Sequence, residues 1–136
     1  MARPPETLPA LGELESALLE HLWRAHEADV SESHAAIGRR RGITANTVGS
    51  ALERLFRKGL LIRRKVSHAY RYQPRIGRDE FAARRVLEAA RGIGSLAGTG
   101  LLAAFVDLVA DTDDAALERL ETLIAAKRGT RGGGWA

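Results

Sequence analysis

The chain has 136 residues, 45% hydrophobic and 28% charged, with no cysteine and a formal net charge of +4. That is the size of one domain, or of a small domain with an appendage. The missing cysteines exclude a disulfide framework, thiolate metal sites and thiol redox chemistry, and the most apolar run, 101–110, is too short for the ~20 residues a membrane span needs.

Charge is unevenly placed. Between Ala36 and Arg78 stand twelve Lys or Arg against the single acid Glu53, whereas from Asp79 onward seven bases face nine acids. A basic module followed by a mildly acidic one predicts two jobs, with a polyanion as partner of the first. Residues 1–10 hold three prolines and no apolar run, and they read as a flexible lead-in, not a signal peptide. The expected setting is cytoplasmic, with no insertion into a membrane.

In chain order, Leu11, Leu14, Leu18 and Leu22 recur at helical spacing with Glu13, Glu15 and Glu20 between them. This predicts an amphipathic helix over 12–26, flanked by Trp23. Asp29-Val30-Ser31-Glu32 reads as a capping box opening a short helix that buries Val30 and Ile37 and ends near Arg41, before Gly42. Thr44 is the expected N-cap of a third helix over 45–58, which buries Val48, Ala51, Leu52 and Leu55 and stops at Gly59. Its outward side carries Asn46, Ser50, Glu53 and Arg57, with Thr47 and Arg54 on a flank.

Two helices joined by so tight a turn form a helix-turn-helix pattern. Short polar side chains near the start of the second helix let its backbone approach base edges, while long cations further along hold phosphates. Asn46, Thr47 and Ser50 are therefore the candidate base readers. Arg54 and Arg57, with the run Arg39, Arg40 and Arg41, are the candidate phosphate contacts. Two β-capable runs follow around a turn at Val66-Ser67-His68. Tyr70 and Tyr72 share the face expected to pack on the helices, and Arg71 points the other way with the strand cations. Arg63, Arg64, Lys65, His68 and Arg71 complete the phosphate candidates. A helix-turn-helix followed by a basic hairpin is a winged helix, here assigned to 11–75.

The remainder reads as helical. Residues 78–91 place Phe81, Ala82, Val86, Leu87 and Ala90 on one side. A next helix presents Leu96, Leu102, Phe105, Val106 and Val109, and a last one, opened by the acids of 111–114, presents Leu117, Leu120, Leu123 and Ile124. Such a set of about 50 residues is marginal alone, so 76–128 is expected to form a dimerisation domain through Phe81, Val86, Leu102, Phe105, Leu117, Leu120 and Ile124. The Gly-rich 129–136 reads as a disordered tail. The four histidines lack metal-ligand spacing, and no catalytic motif occurs. The fold class is mainly α with a small β-hairpin, and neither enzyme activity nor a cofactor or metal is expected. A winged helix that docks a protein instead of DNA is the alternative.

LGELESALLEHLW, ITANTVGSALERLFRKGLLIRR, AYRYQP, RDEFAARRVLEAA and LLAAFVDLVADTDDAALERLETLI, in that order, resemble the penicillinase-repressor family from Leu11 to about Lys127. The resemblance implies a homodimeric winged-helix repressor of a palindromic operator, with a three-helix C-terminal part making the dimer. In antibiotic-responsive members that control β-lactamase, it further implies a membrane metalloprotease receptor and cleavage at an Asn–Phe bond. The corresponding bond here is Ala104–Phe105, with the Phe kept and the Asn replaced. Copper-responsive members carry a cysteine motif that this chain lacks.

Overall fold

A computed structural model describes residues 7–93 and 99–133. Its elements are α1 (Glu13–Ala25), α2 (Val30–Ser33) continued by a π-helical turn (His34–Gly38), α3 (Ala45–Arg57), β1 (Leu61–Val66), β2 (Ala69–Pro74), α4 (Arg78–Ile93), α5 (Thr99–Thr112) and α6 (Asp114–Gly133). The chain divides into two compact units at Glu88–Ala89, later than the expected boundary at 75/76.

The first unit is a winged helix. Leu18, Leu19 and Leu22 of α1 close against Val48, Ala51, Leu52 and Leu55 of α3 and against Leu60, Leu61, Tyr72 and Ile76, all buried. The expected capping box forms: Glu32 N–H donates to Asp29 Oδ1 at 2.8 Å, and Asp29 N–H to Glu32 Oε1 at 3.0 Å. Thr44 caps α3 by accepting from Thr47 N–H at 3.2 Å. The chain leaves both helices of the helix-turn-helix through the same motif. After α3, Gly59 takes φ +83°, Leu60 N–H donates to Leu55 O at 3.1 Å, and Gly59 N–H donates to Phe56 O at 3.0 Å. After the π-helical turn, Gly42 takes φ +68°, while Ile43 N–H reaches Gly38 O and Gly42 N–H reaches Arg39 O. These are the paired bonds of a Schellman cap, whose left-handed residue glycine adopts without steric cost.

The π-helical turn was not expected. Arg39 N–H donates to His34 O, and the His34 ring donates through Nε2 to Ile43 O at 2.8 Å. The widened turn thus carries the chain into the tight connection before α3.

β1 and β2 pair antiparallel from Leu61↔Pro74 to Val66↔Ala69 around a two-residue Ser67-His68 turn. Ser67 takes φ +59° there. Ala28 adds a bridge to the sheet, exchanging both backbone bonds with Tyr72 at 3.0 and 2.8 Å.

Three expectations are corrected here. Residues 7–10 are anchored, because Leu8 is buried, its N–H donates to Glu88 Oε1 at 2.7 Å, and the carbonyls of Pro9 and Ala10 accept from Arg85 and Lys58; residues 1–6 of the expected lead-in lie outside the described residues. Phe81 belongs to the winged-helix unit, packing edge-on against Trp23 with ring centroids 5.4 Å apart. The last helix runs on to Gly133 where a tail from 129 was expected, with Thr130 Oγ1 bonding Ala126 O at 3.0 Å; residues 134–136 lie outside the described residues, as does Leu96.

The second unit contains the hairpin of α5 and α6. Asp113 opens α6 by accepting from Ala115 N–H at 3.0 Å, and Arg119 pairs with it at 2.9 Å. Those bonds hold its carboxyl below the usual range. Among the described residues, no helix is long and apolar enough to cross a membrane.

Candidate nucleic-acid interface

The cap at Thr44 and the buried stripe Val48–Leu52–Leu55 fix the rotation of α3. Asn46, Thr47 and Ser50 therefore stand exposed on its outward N-terminal half, with Arg54 and Arg57 exposed further along. The Thr47 hydroxyl lies 3.1 Å from that of Thr44, which sets its orientation. An open recess of about 700 Å³ runs along this face.

The cations around it fall into two groups. Arg39, Arg40, Arg54 and Lys65 are exposed and form no ion pair among the described residues, and His68 is exposed at the wing turn. The others are engaged. Arg41 pairs with Glu13 at 3.0 Å and Arg57 with Glu53 at 3.6 Å. Arg64 pairs with Glu27 at 2.9 Å, and Arg71 meets Glu27 at 2.9 Å and Glu32 at 2.8 Å. Bonds from Arg71 and Arg64 hold the Glu27 carboxyl below the usual range, and the bonds to Glu27 and Glu32 raise Arg71.

The strand cations are divided between the two faces of the hairpin. Side chains alternate along a strand, and the register sets Arg64 opposite Arg71 but Arg63 opposite Tyr72 and Lys65 opposite Tyr70. Arg63 thus turns inward. Its guanidinium lies 4.0 Å from the Phe56 ring centre and 4.2 Å from that of Tyr70, and it pairs with Glu53. The two tyrosines also part company: Tyr72 is buried and donates its hydroxyl to Glu53 at 3.4 Å, while Tyr70 is 40% exposed toward the wing turn.

Sequence patterning does not mark Glu27, Glu32 and Glu53 as counter-ions to the wing, since their partners lie up to 44 residues away in sequence.

Of the residues expected at a dimer interface, Val86, Leu102, Phe105 and Ile124 are exposed, and Leu117 and Leu120 are half-buried. Ala104 and Phe105 lie within α5, both exposed.

A family profile described as penicillinase repressor matches residues 11–126. The transcriptional regulator BlaI of Mycobacterium tuberculosis, from strains CDC 1551 / Oshkosh and ATCC 25618 / H37Rv, is 35% identical over 126 residues, 91% of each chain. The solution structure of the DNA binding domain of the repressor BlaI aligns at TM-score 0.49 and 20% identity, covering 54% of this chain and 90% of that one. With a profile that spans most of its length and a relative matched nearly end to end, the chain belongs to the penicillinase repressor family, a family of transcriptional regulators and not of enzymes.

Proposed function

We propose that the protein represses transcription by binding a dyad-symmetric operator as a homodimer, with α3 of each subunit in a major groove and the wing along the flanking backbone. The observation that carries the reading is the short, polar, outward half of α3, bordered by the exposed Arg39, Arg40, Arg54 and Lys65, which form no ion pair among the described residues. Such a surface can bring backbone and short side chains to base edges while cations settle on phosphates. Asn46, Thr47 and Ser50 are the readers in this account. Arg39, Arg40, Arg54, Lys65 and His68 make the first phosphate contacts, and Arg41, Arg57, Arg64 and Arg71 join only by exchanging a carboxylate for a phosphate.

Self-association is supported by the apolar side chains left open on the second unit, Leu102, Phe105, Leu108, Leu123 and Ile124. Relief of repression by a membrane metalloprotease, the route the family resemblance implies, would require α5 to unwind around Ala104–Phe105 before the bond could be cut.

The test is a mobility shift with duplexes from the gene's own promoter at about 50 and 200 mM salt, using the wild-type chain and Asn46→Ala. Binding should weaken steeply with salt, and the substitution should cost about 1 to 3 kcal/mol on the preferred fragment and little on random duplex. No shift at low salt would favour a protein-docking module, and an equal loss on both DNAs would remove Asn46 as a reader.

A further inference from the structure

Two glycines line the packing between α2 and α3, and only one is explained by it. A Cβ on Gly38 would stand 2.5 Å from the His34 ring and 2.9 Å from a Val48 methyl, so the close crossing there needs glycine. A Cβ on Gly49 would meet only the two Val30 methyls, each at 3.6 Å, an ordinary van der Waals distance. Gly49 lies inside α3 with a helical backbone, where glycine disfavours the helix about fivefold relative to alanine. Packing would accept a Cβ at 49 and the helix would gain from one, so neither accounts for its absence.

What that absence opens lies on the outward face. Gly49 and Val30 line the recess along α3, together with Asn46, Ser50, Glu53 and Arg57. Val30, half-buried, supplies its branched apolar group, and its rim is polar, with Arg54 and Arg57 beside the Glu53 carboxylate. A partner suited to it presents an apolar group at a polar edge, close to negative charge. In the major groove the four bases offer one such group, the thymine C5-methyl.

We propose that Gly49 is a specificity-determining residue: its missing side chain forms a notch that seats a thymine C5-methyl against Val30, beside the base edge that Asn46 addresses. This rests on the DNA-binding reading above and sharpens it, because it names a base and a chemical group.

The experiment begins by selecting duplexes from a random-sequence library with the full chain. Each thymine of the enriched sequence is then replaced singly by deoxyuridine, which removes only the methyl group. The wild-type protein should lose about fourfold in affinity at one thymine per half-site, the worth of one buried methyl. Gly49→Gln, a good helix former whose side chain lies across the notch, should melt no lower than wild type and bind thymine and deoxyuridine equally at that position. If that variant folds poorly, the wild-type scan decides alone. An enriched sequence with no methyl-sensitive thymine, or the same sensitivity kept in a folded Gly49→Gln, overturns the notch while leaving DNA binding intact. Enrichment of no sequence at all overturns both.

Discussion

The Glu15 carboxylate is almost closed to solvent, yet it accepts from Lys58 Nζ at 2.7 Å and from Gly12 N–H at 3.1 Å. Burial alone would raise its pKa, but the bonds from Lys58 and Gly12 outweigh that effect and hold it below the usual carboxylate range. A carboxyl with a depressed folded-state pKa contributes stability that is fully present above the usual glutamate value of 4.5. That contribution is lost as the pH falls through the lower folded value. Lys58→Met should therefore flatten the acid limb of the stability profile. At neutral pH it should cost about 1 to 3 kcal/mol, because a nearly buried charge loses its partner. Urea unfolding at pH 7 and pH 4 reads both effects, and a variant as stable as wild type at pH 7 would show the pair to be idle. Lys58 also donates to Ala10 O at 2.9 Å. Like Arg63, it is thus a structural cation within a strip of sequence where Arg39, Arg40, Arg54 and Lys65 face outward, a distinction that charge counting cannot make.

At the scale of elements, the wing is tied to the rest of the winged helix by the Ala28–Tyr72 bridge and by Glu27, which takes both Arg64 and Arg71. Glu27→Gln should leave the hairpin register intact, since backbone bonds set it, while releasing the Arg64 guanidinium and leaving Arg71 held by Glu32. The released group, on finding a phosphate, should steepen the slope of log affinity against log salt by about one on random duplex. Fluorescence anisotropy between about 50 and 200 mM salt would show this, and an unchanged slope would assign Arg64 to the fold alone. The capping box at Asp29, the N-cap at Thr44, the glycines that end the helices and the leucine stripe were legible because each is a local rule, written within a few residues. The outward face of Asn46, Thr47 and Ser50 followed from the same stripe. The inward turn of Arg63, the carboxylates that occupy Arg71 and the single-residue bridge at Ala28 were not legible, because they depend on register and on partners tens of residues away. The π-helical turn escaped for a related reason: it answers the crossing of α2 and α3 at Gly38, which exists only once both are folded. The helix beyond Gly129 shows the reverse failure, where a glycine-rich composition was read as a tail although the preceding helix propagates through it.

Over the whole molecule, the winged-helix unit encloses a core while the second unit leaves its apolar faces open. On α5 and α6, Leu102, Phe105, Leu108, Leu123 and Ile124 are between 46% and 67% exposed, and a two-helix hairpin has too little chain to cover them. A fully exposed side chain of this kind gains about 1.5 to 3 kcal/mol on full burial and these about half as much, so it takes the set from both copies together to sustain a dimer at micromolar concentration. Phe105 and Leu108 border one largely apolar recess with Val109 and Ala116, which makes that recess the place to test the proposed contact. Replacing both Phe105 and Leu108 by Asp places charge there without touching the winged-helix core, so its unfolding transition should persist. Sedimentation should then change from dimer to monomer at micromolar protein. Affinity for a two-half-site duplex should fall toward that for a single half-site, by roughly a hundredfold, because the second recognition helix is no longer delivered at high effective concentration. A wild-type chain that sediments as a monomer, or a doubly charged variant that still binds both half-sites as tightly, would locate the coupling elsewhere than on this face.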